Sequence, residues 1–171
     1  WRAVFNIGPD YPTEQNILFD CVQLARYAQL CQANGIVPMV EPEVIFKGSH
    51  TIERAEEVTT QVLRKLFDTL AWYRVDLKGV ILKSSFVLAG SESATQSTPE
   101  QVGTATVRTF ENSVPHDVPG IVFLSGGADK TLRDAAHNDN PGGARYVVPL
   151  AMVSQLCDTS VFLPVGYLAQ S

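Results

Sequence analysis

Cysteine, histidine, methionine and tryptophan are all scarce in this 171-residue sequence, at three, three, two and two residues. Three cysteines are an odd number and make a poor disulfide framework. Cys21 and Cys31 lie ten residues apart in a helical pattern, about 15 Å at the helical rise, too far to bridge. With Cys157 they read as free thiols of a reducing cytoplasm. His50, His116 and His137 have no metal-ligand spacing, so neither a metal site nor a cofactor is expected. An excess of positive charge is also missing. The balance is 13 Lys+Arg against 18 Asp+Glu, a net charge of −5 with no long basic block, and this argues against nucleic acid as a partner. The longest apolar stretch, around Val147 to Val153, falls far short of the roughly 20 residues that cross a bilayer. Twelve Gly and ten Pro are scattered, which excludes collagenous and low-complexity classes.

What remains, 45% hydrophobic and 18% charged, is the composition of a globular domain able to bury a core. The opening Trp1-Arg2-Ala3-Val4-Phe5 has neither an initiator Met nor the layout of a signal peptide, so the chain reads as beginning in mid-sequence.

Apolar residues Phe19, Val22, Leu24, Ala25, Ala28 and Cys31 recur at helical spacing from about Glu14, and Asn34-Gly35 supplies a left-handed stop. Ile36 to Val40 is an apolar run followed by Glu41-Pro42-Glu43, a buried strand ending in carboxylates, although prolines sit poorly in a ladder. A second helix follows from Ile52, Ala55, Val58, Val62, Leu63, Leu66, Phe67 and Leu70, with Glu and Arg opposite, ending before Asp76. Gly79 to Lys83 suits a buried parallel strand, and Ala89 to Ser97 a polar loop. Thr98-Pro99-Glu100-Gln101 is a capping-box signature that opens a third helix through Val102, Ala105 and Phe110. Gly120 to Leu124 is a further strand, leading into Ser125-Gly126-Gly127. With Trp1 to Phe5 as a strand, the alternation is that of an α/β protein with a parallel sheet.

Three groups then fall at the carboxyl ends of successive strands, the edge where parallel α/β folds bind ligands: Glu41 with Glu43, Lys83, and Ser125-Gly126-Gly127. A lysine kept neutral by desolvation attacks carbonyls, and a glutamate one strand away shuttles the protons of carbinolamine formation and loss. A Ser-Gly-Gly turn offers N–H groups and a hydroxyl to a phosphate. Taken singly, each has a plainer reading as a solvent-reaching lysine, solvated loop carboxylates or a simple turn. The Lys130-Thr131 pair does not complete a P-loop, because Asp129 occupies the required glycine position.

Five segments carry a resemblance: Leu24 to Ala28, Gly35 to Glu43, Ile81 to Lys83, Ala105 to Arg108, and Pro119 to Gly127. Collinear from Trp1 to about Lys130, they closely resemble class I fructose-1,6-bisphosphate aldolase. The resemblance implies a lyase of (β/α)8 barrel fold that reversibly cleaves fructose 1,6-bisphosphate to dihydroxyacetone phosphate and glyceraldehyde 3-phosphate in glycolysis, through a lysine Schiff base and without metal. Lys83 matches the imine-forming lysine, Glu41 the proton-transferring glutamate and Glu43 the carboxylate beside it. Ser125 and Gly126, with Gly127 completing the turn, match a phosphate-holding turn, and Arg2 an active-site arginine.

The departures are specific. The family's further catalytic lysine would directly precede Trp1, and its catalytic aspartate and another phosphate-binding lysine also lie upstream. After Lys83 the chain runs Ser84-Ser85-Phe86, more like bacterial members than animal ones. After Gly127 the family pattern gives way to Ala128-Asp129-Lys130-Thr131, and Gly166-Tyr167 only echoes its last phosphate motif. The expectation is therefore a fragment: a partial barrel, about strands 4 to 7, over 1–130, and a divergent or frame-shifted tail over 131–171. Its alternatives are a non-enzymatic α/β module binding a sugar phosphate, or another Schiff-base aldolase. A homo-oligomer is compatible with the sequence.

Overall fold

The structure, a computed structural model, describes residues 1–123; Ser125, Gly126, Gly127 and the whole 131–171 segment lie outside the described residues. Four strands, β1 (Arg2–Phe5), β2 (Met39–Val44), β3 (Ile81–Ser84) and β4 (Gly120–Phe123), alternate with three helices, α1 (Glu14–Ala33), α2 (Ile52–Trp72) and α3 (Pro99–Ser113). The sheet runs β1-β2-β3-β4 in chain order, and every pairing is parallel. Each strand thus pairs with the next after a helical crossover, as the α/β alternation requires.

All three helices start on a threonine whose hydroxyl accepts an N–H of the first turn: Thr13 from Asn16, Thr51 from Arg54 and Thr98 from Gln101. Only Thr98 completes the capping box, with the Gln101 side chain accepting from the Thr98 backbone N–H and Pro99 in the first turn. At the end of α1, the N–H of Ile36 reaches the Cys31 carbonyl and that of Gly35 the Gln32 carbonyl, with Gly35 at φ +70°. This is the two-bond αL stop that glycine favours. The end of α2 repeats it, with Val75 bonded to Leu70 and Arg74 to Ala71, but the residue at φ 57° is an arginine.

Alternate strand residues divide the sheet into two faces. Ala3, Phe5, Val40, Val44, Leu82 and Ile121 are buried against the helices. From α1 they meet Ile17, Cys21, Leu24, Ala25 and Ala28, and from α2 Val58, Val62, Leu63, Leu66 and Leu70. Burial in this core pushes the Cys21 thiol up to about 12, so it is an inert packing group.

Several boundaries differ from expectation. Phe19 is 64% exposed and packs into no core, because the apolar stripe of α1 runs through Ile17, Cys21 and Leu24. Ile36 and Val37 are also exposed, since the chain is still leaving the αL stop; β2 starts at Met39 and runs through Glu41-Pro42-Glu43 to Val44. Gly79 belongs to a short 3-10 turn, Leu77–Gly79, capped by the Asp76 side chain, which delays β3 to Ile81.

Candidate functional site

Opposite the helices, the second sheet face carries charge. Arg2, Glu41, Glu43 and Lys83 all occupy the alternate set of positions that points away from the helical core. Lys83 Nζ stands 3.3 Å from Glu41 Oε1, and Arg2 Nη1 stands 3.0 Å from Glu43 Oε2. Two cations thus face two carboxylates across β1, β2 and β3. The Lys83 side chain is 32% exposed against 17% for Glu41 beside it and 10% for Glu43, so the lysine is open to a solute while both carboxylates are largely covered. Glu43 Oε2 is within ion-pair distance of Arg2 but has no aligned hydrogen-bond partner, which leaves a buried acceptor aimed into the site.

The backbone explains why these groups meet. The register sets Arg2 opposite Glu41 and Val4 opposite Glu43, so the Arg2–Glu43 pair is a diagonal one. Val40 pairs with Leu82, which makes Glu41 and Lys83 the next residues along the same seam. Trp1 anchors the start of β1: its backbone nitrogen donates to the Met39 carbonyl at 3.1 Å, and its carbonyl accepts from Glu41 at 3.0 Å.

The rim beyond the strands is built from two loops in contact. Ser91, Glu92 and Gly90 donate to the carbonyls of Phe46, Gly48 and His50, each at 2.8 Å. A Cβ on Gly90 would collide with the Gly48 carbonyl oxygen, and Gly48 sits at φ +135°, so both positions require glycine. The His50 ring lies against this junction with neither nitrogen hydrogen-bonded, and its pKa is lowered, first by burial and then by Arg54. The chain after Lys83 is held by hydroxyls: Ser85 accepts from Val44, Thr106 from Val87 and Ser97 from Ala89.

Four of the residues singled out in the sequence, Lys83, Glu41, Glu43 and Arg2, therefore come together on the open face of the strands. Ser125, Gly126 and Gly127 fall outside the described residues. Ser85 and His50 were not singled out. Two consecutive serines directly after a strand-borne lysine were the available signal for the first. For His50 the sequence offers only its lack of metal-ligand spacing. Among the described residues no group of three His, Cys, Asp or Glu side chains converges to hold a metal ion, and no helix is long and apolar enough to cross a membrane.

A lysine amine within reach of a carboxylate, open to solute on a charged face, is an arrangement for adding an amine to a carbonyl and moving the protons that this requires. Comparison with known proteins points the same way. A family model described as fructose-bisphosphate aldolase class-I matches residues 1–141. A probable fructose-bisphosphate aldolase class 1 from Xanthomonas axonopodis pv. citri (strain 306) is 52% identical over 127 residues, covering 74% of this chain and 38% of the relative. Fructose-bisphosphate aldolase 2 of Caenorhabditis elegans is 46% identical over 140 residues, covering 82% and 38%. A crystal structure of Plasmodium falciparum fructose-bisphosphate aldolase, in complex with TRAP and a small-molecule inhibitor, superimposes with TM-score 0.81 at 37% identity, covering 93% of this chain and 48% of that one. The chain thus spans well under half the length of these curated relatives. The parallel strands with helices on one side form an α/β arc of the kind found in the (β/α)8 barrel.

Proposed function

The chain belongs to the class-I fructose-bisphosphate aldolase family, and from that premise we propose that it carries the imine-forming part of an aldolase site acting on fructose 1,6-bisphosphate. The observation that carries this reading is the 3.3 Å approach of Lys83 Nζ to Glu41 Oε1 on the open face of the sheet.

In the proposed reaction the unprotonated Lys83 amine attacks the substrate's ketone carbon, forming a C–N bond as the carbonyl oxygen takes up a proton. Glu41 carries protons from the nitrogen to the carbinolamine hydroxyl, which leaves as water and gives an iminium. That cation draws electrons from the adjacent carbon–carbon bond as the hydroxyl on the departing carbon gives its proton to the again ionised Glu41, so cleavage releases the aldehyde, glyceraldehyde 3-phosphate, and leaves an enamine on Lys83 instead of a free carbanion. Protonation of the enamine and hydrolysis of the imine release dihydroxyacetone phosphate and restore the amine. Glu43 tunes the surroundings of the lysine, Arg2 contacts the other end of the substrate, and Ser125, Gly126 and Gly127 bind a substrate phosphate. The electron sink is the iminium, so the route calls for no metal. Division into a barrel part over 1–130 and a divergent tail over 131–171 belongs to the same proposal. So does a cytoplasmic location, which fits the relative from Arabidopsis thaliana named cytosolic.

Borohydride reduction in the presence of dihydroxyacetone phosphate, followed by peptide mapping, tests the reading. Label is expected on Lys83 and is absent in Lys83→Met. Label on another residue, its persistence in the variant, or sugar-phosphate binding without a reducible adduct overturns it.

A further inference from the structure

The seam between β2 and β3 is interrupted where Lys83 and Glu41 meet. On β2, the N–H groups of Glu41 and Ile45 point to β1, bonding Trp1 and Phe5 carbonyls at 3.0 and 2.9 Å. Strand alternation then turns residues 42 and 44 toward β3. Residue 42 is a proline with no N–H to give. The β2–β3 register ends at Val40↔Leu82, two pairs in all, whereas β1–β2 and β3–β4 each run for four. The next donor on that side, the N–H of Val44, finds no strand carbonyl. It is taken by Ser85 Oγ at 3.3 Å, in a buried setting where Ser85 and Val44 are each 7% exposed.

We infer that Ser85 is a positioning residue for the Lys83–Glu41 pair, its hydroxyl replacing the ladder bond that Pro42 cannot make and so fixing the spacing of the two strands at the amine. The inference rests on the imine reading of Lys83 and goes beyond it by assigning the geometry to a residue that touches neither substrate nor amine. Without the hydroxyl, the buried Val44 N–H has no partner, and past Leu82 the Lys83–Glu41 ion pair is left to hold the two strands together up to the loop bonds at Phe46. Glu41 is carried by β2 and Lys83 by β3, so a shift between the strands separates donor from acceptor.

The test follows borohydride trapping of dihydroxyacetone phosphate on Lys83, the affinity for that ligand, and hydrogen exchange at the Val44 amide, in the full chain and in Ser85→Ala, Ser85→Cys and Ser85→Thr. Trapping is expected to slow about tenfold or more in Ser85→Ala, with affinity retained and Val44 exchange accelerated. Ser85→Thr, which keeps the hydroxyl, restores both, and Ser85→Cys, close in shape but a weak acceptor, falls between and stays informative should the alanine variant fail to fold. Wild-type trapping rates in the alanine or cysteine variant, parallel loss of trapping and affinity, or failure of threonine to rescue overturns the inference. A wild-type chain that takes no label on Lys83 removes the imine reading, and the positioning role with it, whatever the variants do.

Discussion

His50 shows how one side chain ties the fold to pH. Its ring is held among backbone at the Gly48–Gly90 junction without a hydrogen-bond partner, and burial, then Arg54, lowers its pKa below the ordinary 6.5. A histidine whose folded pKa is depressed favours the neutral form in the native state, and the unfolded chain then takes up more protons on acidification. Its contribution to stability is present in full above the unfolded value and is lost as pH falls through the folded one. Denaturant midpoints followed from neutral pH to about pH 5 are therefore expected to fall more steeply for the wild type than for His50→Gln. Equal slopes would mean that the ring is not held neutral. The charged groups of the open face follow a different logic. Lys83, Glu41, Arg2 and Glu43 pair with one another, so the site is built from opposite charges placed by strand register rather than from one deeply buried group.

At the scale of elements, the helix ends differ in how far their conformation suits their residues. Arg74 holds the left-handed position after α2 at φ 57°, where Gly35 serves α1. A side chain there costs roughly 1 kcal/mol, so Arg74→Gly is expected to raise stability by about that amount in a urea titration. Thr98→Ala, which breaks the capping box of α3, is expected to lower it by about 1 kcal/mol.

The same elements separate what was legible in the sequence from what was not. The capping box, the Asn34-Gly35 stop and the stripe from Ala55 to Leu70 are local signals, and each is where the residues put it. The arginine stop after α2 carries no such signal, because its two bonds, Val75 to Leu70 and Arg74 to Ala71, are made by backbone groups that every such residue has. The course of β2 was harder still. Pro42 argues against a strand interior, yet its missing donor faces the side where the ladder stops, so the proline is accommodated by the interruption itself. Lys83 and Glu41 were recognisable as residue types near strand ends. Their contact depends on register, and the hydroxyl that bridges their strands depends on a pairing that sequence does not show.

At the scale of the molecule, the described sheet has β1 and β4 as its outer strands, and the chain covers 38% of its Xanthomonas relative.

The junction of Gly48 with Gly90 has a mechanical consequence at this scale. Three loop-to-loop hydrogen bonds and a backbone approach too close for any side chain weld the rim after β2 to the rim after β3. Displacement of either loop must then carry the other, so the ends of β2 and β3 behave as one mechanical unit.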